Sequence, residues 1–528
     1  MGGYRPGAEA TVAVRGINIT VRADQPVELS RFSKTTYGMS TIDQFGLNAS
    51  TVIETHCGEN EHIPLGLLSV GDMHGLYIGH EWELGSFEVR AGADKLDLSV
   101  EVSPITEVLS IASGKSFTVP SVYYGAYDGD MDDGSNSLKL WFWDHKVPRS
   151  LHENADEPWT EICYGKGHGG RFGLSCGCAL PQSFYDAAAA SGVEAVKQDF
   201  GWYGNSTGDP NSRNWQFRKK DWPDGFNFKS RAHEAGLKTS LYMGGSYNDV
   251  DLKTIAGRNT QLAYLAKIYD AGWFDMWRTD TYNAPEDPMP ATFNGVTNFY
   301  YILDSLISSR PGFRYENCAN GGRYKGFSTA RRMTFMTTND NDGGGQLGAG
   351  ADYRASVWTA GYALNSIQLK SDVGVHPGYP WPAAAVSIKV AYMARTSMLG
   401  AWQLCGVEPN NTIYRQHLAL YKTKQRPILR GAGMYHVLPK PDGVNWDGEL
   451  FFNKRLNKGS LFLFKPSPNV TDTMVVKLKG LEQPTQYKLT FQERHAQSCV
   501  KSGAELMGTG VTVAGMVGSF ASEIVWLN

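Results

Sequence analysis

The chain is expected to fold as an α/β protein, a (β/α)8 barrel flanked by an N-terminal β-sandwich and a small C-terminal antiparallel β-sandwich. Three observations lead there. Its 528 residues are too many for one ordinary domain, and 41% are hydrophobic, enough for a large core. Apolar residues alternate with polar ones at both ends of the sequence. Between about 155 and 425, short apolar runs alternate instead with helix-period segments.

The N-terminal region, 1–150, reads TVAVRGINITVRA, GLYIGHEW and LDLSVEVSP, period-two runs separated by Gly, Asp and Asn clusters. The acidic stretch YDGDMDDGSN at 127–136 reads as a loop closing this region. Asp128, Asp130 and Asp132 have the spacing that opens a calcium loop, but its twelfth position is Lys139, so no metal is expected.

The central region, 151–427, supplies eight strand candidates: TEICYG, VEAVKQDF, LKTSLYMGG, WFDMWRTD, FRYENC, MTFMTTND, SIQLKSDV and AWQLCG. Helices lie between them. Leu262, Leu265, Ala266 and Tyr269 keep helical spacing, as do Phe299, Ile302, Leu303 and Leu306. Gly192, Gly236 and Gly272 stand where helices end. Eight units in this length suit a barrel. A doubly wound sheet would need a glycine-rich phosphate loop after its first strand, and none is present. The final region, 428–528, returns to strands in GELFFNKR, GSLFLFKP, TMVVKLKG, QYKLTF and ASEIVWL.

Composition narrows the function. A formal net charge of -3 leaves no footprint for nucleic acid or an anionic membrane, and no apolar run is long enough to span one. The first residues, MGGYRPGAEA, lack the regions of a signal peptide, which fits a cytoplasmic protein or a secreted one with its signal removed. Seven cysteines, odd in number and widely spread, suggest neither a disulfide framework nor a zinc site.

The candidate chemistry lies at the strand ends. In GWFDMWRTDTYN, 272–283, Arg278 and Asp280 follow an apolar strand at alternating positions. Buried charges are costly unless paired or used, so this is a structural ion pair or an active site. Asp199 in KQDFGWYG, Cys318 to Arg323 in CANGGR, and Asp340 and Asp342 in TTNDND occupy similar places. A single aspartate there often caps a helix, and CANGGR could be only a turn needing positive φ. Several carboxylates converging on one barrel mouth are what glycoside hydrolysis requires.

Taken in order, these motifs resemble glycoside hydrolase family 36, the α-galactosidases, whose clan includes families 27 and 31. QDFGWYG is similar to the family's aspartate-glycine-tryptophan signature, and NWQFRKKDWPDGF at 214–226 to the stretch that follows it. RTD at 278–280 takes the place of the nucleophile motif Lys-Trp-Asp. CANGGR resembles the family's Cys-x-x-Gly, and TTND at 337–340 takes the place of the acid/base motif. HLALYKTKQRPILRGAGMYHVLP resembles the closing helix and first sandwich strand.

The resemblance implies a retaining exo-α-glycosidase that needs no cofactor. Asp280 would be the nucleophile, kept ionised by Arg278, and Asp340 the general acid/base. Gln198, Asp199, Trp215, Arg278, Cys318, Gly321 and Arg323 would bind the sugar.

Departures from the family pattern bear on which sugar. Gln198 replaces the first of two adjacent aspartates, Phe200 is inserted before Gly201, Arg278 replaces lysine, Thr337 replaces tryptophan, and SLYMGGSY replaces Trp-x-Glu-Pro-Glu. The N-terminal region is also shorter than is usual in the family. The implied substrate is an oligosaccharide or glycoside with a terminal α-galactoside. The alternatives are an α-N-acetylgalactosaminide, a β-L-arabinopyranoside, a charged sugar, a raffinose-synthase-like transglycosylase, or a carbohydrate-binding protein without turnover. Relatives are often tetramers, so a homo-oligomer is a further expectation.

Overall fold

The computed structural model describes the chain except for residues 1–9, 13–15, 35–39, 59–60, 95, 113, 165–176, 200, 205–213, 281–291, 323, 340–349, 371–372, 375–385 and 406–408. It is an α/β structure with a parallel sheet at the centre and antiparallel sheets at both ends.

The N-terminal strands form two layers. Val122–Asp128, His74–His80, His62–Val70, Glu28–Lys34 and Ser40–Gly46 pair in one, and Val52–Cys57, Gly85–Ala91, Asp97–Ser103 and Ile17–Arg22 in the other. A single parallel pairing, Cys57 with His62, joins them. Leu29, Leu68 and Ile78 from one layer meet Phe87, Val89 and Val100 from the other in a shared core. The alternating pattern read from the sequence is therefore the inward face of each layer.

The central sheet has seven parallel strands in chain order: β1 (Glu161–Tyr164), β2 (Ala195–Gln198), β3 (Lys238–Tyr242), β4 (Met276–Thr279), β5 (Arg314–Asn317), β6 (Phe335–Thr337) and β7 (Leu369–Lys370). The segment 401–405, which contains β8 (Leu404–Cys405), touches both edges of that sheet. Ala401 bridges Lys370, β8 pairs in parallel with Val373–Gly374, and Gln403 bridges Glu161. The arrangement is TIM-barrel-like.

Helices between the strands form where the spacing predicts them. Ile255–Asp270 is capped by Thr254, whose hydroxyl accepts from Gly257 N, and Phe293–Ser309 by Thr292 in the same way. The second helix buries Phe299, Ile302, Leu303 and Leu306. Gly192, Gly236 and Gly272 have φ of 94°, 80° and 77°, the left-handed turn that ends a helix.

Side chains inside the barrel stack in layers drawn from alternate strands. At the bottom, Ala195, Met276, Phe335 and Ala401 pack with Trp159 in a small apolar cluster. The next layer holds Glu161, Ser240, Glu316 and Lys370, one from each odd-numbered strand, and all are fully buried. Above it come Lys197, Arg278, Thr337 and Gln403, again buried.

In the C-terminal region, Gly433–His436, Asp447–Asn453, Lys458–Lys465, Ala521–Leu527, Gln486–Phe491 and Cys499–Ser502 form one sheet in that order. The pair Met474–Val476 and Val511–Val513 covers it, with Leu450, Leu461 and Leu489 meeting Val476, Val511 and Val513.

Two expectations need correction. YDGDMDDGSN is not a loop: it runs from the end of strand Val122–Asp128 into the helix Met131–His145. Asp130 caps that helix in a capping box with Asp133. The helix covers the edge strand Gly433–His436. Asn136 donates to Met434 O at 2.9 Å and accepts from Met434 N at 2.9 Å, and Asp132 accepts from His436 N at 3.0 Å. Side chains here occupy the place of a further strand. The second correction concerns cysteine: Cys178 is disulfide-bonded, although the spacing suggests no disulfide framework. Among the described residues, no helix is long and apolar enough to cross a membrane.

Asp132 joins three regions of the chain. Its carboxylate meets His436 Nδ1 and accepts from Lys479 Nζ at 3.0 Å, while His436 Nε2 donates to Trp358 O at 2.7 Å. Burial alone would raise the pKa of Asp132, but His436 and Lys479 outweigh it and hold the carboxyl well below the ordinary range. A depressed carboxyl adds stability above its unfolded pKa and loses it as the pH falls through the folded one. Asp132→Asn should therefore cost about 3 kcal/mol at pH 7. In urea unfolding followed across pH, the gap to the wild type should begin to close below about pH 4.

Candidate active site

The mouth of the barrel is the C-terminal end of its strands. Asp199 directly follows β2, Asp280 follows β4 and Cys318 follows β5. Asp340, three positions beyond β6, and Arg323 lie outside the described residues.

Arg278 brings the described groups together. Its Nη2 donates to Asp280 Oδ2 at 3.3 Å and to Cys318 Sγ at 3.1 Å. Its Nη1 donates to Glu316 Oε1 at 3.2 Å and lies 3.8 Å from Asp199 Oδ2. Asp199 and Asp280 are 3% and 5% exposed and Arg278 2%, so these pairings take place out of bulk water. The planar guanidinium thus spans four partners on strands β2, β4 and β5.

Beneath it the charges continue. Lys197 Nζ lies 3.8 Å from Asp199 Oδ2 and 3.9 Å from Glu316 Oε1. Lys370 donates to Glu161 Oε2 at 3.1 Å and also pairs with Glu316. Ser240 Oγ donates to Glu316 Oε2 at 3.1 Å. Burial, the largest influence on Glu316, pushes its pKa up, but Lys370, Lys197 and Arg278 together hold it below the ordinary value. Burial raises Glu161 above its ordinary value; Lys370 opposes this and the charge of Glu316 adds to it.

The remaining predicted residues are placed as follows. Gln198 is the last residue of β2 and has the opposite alternation to Lys197 and Asp199; its amide donates to Asp199 O at 2.9 Å. Trp215, at φ 43°, is buried and donates to Gly244 O at 3.3 Å, with its ring against Tyr247 and Tyr264. It thereby braces the loop after β3, whose Gly245 N donates to Asp280 O at 3.0 Å. Gly321 lies in the tight turn Ala319–Gly322, where Ala319, Gly321 and Gly322 have φ of 45°, 81° and 86°. Positive φ is therefore one requirement of CANGGR.

Sequence reasoning did not single out Glu316, Lys197, Lys370 or Glu161. Each carries the signal that exposed Arg278, a charge at an inward position of a short apolar strand. It also passed over Tyr203 and Tyr242, hydrogen-bonded phenols with stacked rings 6.2 Å apart. Burial pushes Tyr203 up, and the charges of Asp280 and Asp199 add to it.

Similarity to known proteins follows the same lines. No protein-family model matches the chain. It is 24% identical over 252 residues to alpha-galactosidase 2 of Hypocrea jecorina, covering 46% of this chain and 31% of that one. It is also 24% identical over 281 residues to probable alpha-galactosidase G of Aspergillus terreus, covering 51% and 35%. The matches thus span about a third of these curated relatives. Among solved structures, the galactosidase domain of the alpha-galactosidase-sucrose kinase AgaSK superposes with a TM-score of 0.78 at 14% identity, over 97% of this chain and 75% of that one. The GH36 alpha-galactosidase AgaA of Geobacillus stearothermophilus, in complex with stachyose, gives 0.75 at 14% identity, over 97% and 76%. The chain has the fold of these α-galactosidases.

The turn after β5 can be tested by two glycines that share one positive φ. Gly322 and Gly225 both have φ of 86°, but a Cβ on Gly322 would lie 2.3 Å from Thr337 O, whereas one on Gly225 meets nothing within 4 Å. Gly225→Ala should cost about 1 kcal/mol, from backbone strain alone. Gly322→Ala should cost at least ~2 kcal/mol more, because backbone must move, and thermal denaturation of the two variants should separate them.

Proposed function

We propose that the chain is a retaining, exo-acting α-glycosidase for α-galactoside-like sugars. The observation that carries this is Asp280, placed at the end of β4 and engaged by Arg278 in a GH36-like fold, with Asp199 and Cys318 on adjoining strand ends. We read 151–427 as a closed (β/α)8 catalytic barrel, with 1–150 and 428–528 as its flanking β-sandwich domains.

In this reading the Asp280 carboxylate attacks the anomeric carbon while Asp340 protonates the departing glycosidic oxygen. The products of this step are the aglycone alcohol and a glycosyl ester on Asp280. Asp340, now ionised, takes a proton from water; the resulting hydroxide equivalent attacks the same carbon and frees Asp280. Two inversions give net retention.

Asp199, Cys318, Gly321 and Arg323 are assigned to the sugar, with Arg278 orienting Asp280 and Trp215 bracing the loop after β3. Gln198 is assigned a supporting role through the Asp199 carbonyl. The substrate class draws on the named relatives and on the stachyose and raffinose complexes of AgaA. A neutral sugar is preferred to a charged one because the Arg278 fork already faces Glu316, Asp199 and Asp280.

A panel of p-nitrophenyl glycosides, with and without sugar acceptors, tests the reaction. Release from the α-galactoside without an acceptor is expected. Release only with an acceptor would make the protein a transglycosylase, and no release from any sugar would contradict catalysis. Asp280→Ala should lower turnover by several orders of magnitude, with azide giving partial rescue and a β-glycosyl azide product. Asp340→Ala should slow substrates with poor leaving groups far more than activated aryl ones, because only the former need protonation. Equal losses would contradict the role given to Asp340. In a sugar-bound crystal structure the two carboxyl groups should lie about 5–5.5 Å apart, the spacing of direct attack rather than of an inverting water.

A further inference from the structure

We propose that Glu316 is a positioning residue of this site, which sets the nucleophile by fixing Arg278 from below; the inference rests on the reading of Asp280 given above. Glu316 is fully buried one layer beneath Arg278, so it acts through that guanidinium rather than on the sugar. Both of its oxygens are engaged. Oε2 accepts from Ser240, and Oε1 accepts from Arg278 and Lys370, with Lys197 at 3.9 Å.

Arg278 is planar, so holding one edge aims the other. Nη1 is held on Glu316 with Asp199 nearby, and this directs Nη2 at Asp280 and Cys318. Glu316 also competes with Asp280 for the positive charge of Arg278. A carboxylate that receives the whole of that charge is more stable and a weaker nucleophile; one that shares it stays ionised yet able to attack. The ionisable groups facing Glu316 are Arg278 from β4, Lys197 from β2 and Lys370 from β7, with Glu161 from β1 behind Lys370. Removing the Glu316 charge leaves this group more positive beneath Asp280.

Glu316→Gln, which keeps the shape and removes the charge, tests this in the full chain on aryl and unactivated α-galactosides. The expected result is a roughly 10–100-fold lower kcat, the scale of a misaligned catalytic group, with KM within about threefold of wild type. The acid limb of kcat/KM should move to lower pH, because Asp280 then faces more positive charge. Glu316→Gln combined with Lys370→Met and Glu161→Gln removes the ammonium together with the second carboxylate it pairs with, so that layer keeps no unpartnered charge. This triple variant should regain thermal stability over the single one while kcat stays low. A single variant with wild-type kcat and an unmoved acid limb would overturn the proposal, as would recovery of kcat along with stability in the triple variant. Either outcome would leave Glu316 a purely structural residue. A wild type that hydrolyses no α-glycoside would overturn the parent reading as well; an active wild type beside kinetically unchanged variants overturns this inference alone.

Discussion

The structure depends on a cluster of charges sealed inside its barrel. Lys197, Arg278 and Lys370 share that space with Glu161, Asp199, Asp280 and Glu316, and none of the seven is more than 5% exposed. Removing such groups from water costs several kcal/mol each, and mutual attraction offsets the cost only where geometry is good and the remaining lone pairs are satisfied. Most barrels fill these positions with branched apolar side chains. Here one layer is apolar, Ala195, Met276, Phe335 and Ala401 above Trp159, and charges occupy the levels over it. The apolar layer excludes water from below, so the pairs above act in a medium of low polarity and hold their geometry more firmly.

Much of the central sheet could be read from sequence because parallel strands are short apolar runs punctuated by helices. Peptides such as VEAVKQDF and FRYENC contain β2 and β5, and Asp199 and Cys318 stand directly after them. What escaped was the meaning of the charges inside the runs. Arg278 drew attention because Asp280 stands two residues on, at the strand end; Glu316 and Lys370 also have opposite charges two positions away, Arg314 and Asp372, but the partners they meet inside the barrel are 38 or more positions away. The acidic segment was misread for a different reason. Asp, Gly, Ser and Asn disfavour helix interiors, yet DDGSN begins one. Tertiary contacts decide it. Gly134 lies so close to the Tyr127 ring that an added Cβ would be 2.6 Å away, and Asn136 and Asp132 serve a sheet edge some 300 residues further along the chain.

Polar contacts also tie the outer sheets to the barrel. Glu83, in the turn after His74–His80, is fully buried and accepts from Thr329 N, Thr329 Oγ1 and Tyr300 Oη at 3.0, 2.7 and 3.1 Å. On the other side Arg354 grips Asp447 with two bonds of 2.7 and 2.9 Å, both side chains buried. Thr329 precedes β6, and Arg354 lies on the helix Ala351–Ala360 that leads towards β7. The flanking sheets therefore hold the part of the barrel that carries TTND, and their contribution to the mouth is one of rigidity.

The layering has a consequence for how the molecule assembles. Glu161, Ser240, Glu316 and Lys370 are neighbours in space, but they are contributed by strands that span more than two hundred residues of chain. None of these charges meets its full set of partners until β7 has joined the sheet. In a partly formed barrel they remain hydrated, and the remaining strands cannot bury them without a large desolvation cost. Such long-range pairing slows folding, since chain entropy is lost before the contacts repay it. The same cluster ties these strands to one another, since a charge left without its partner is costly to bury.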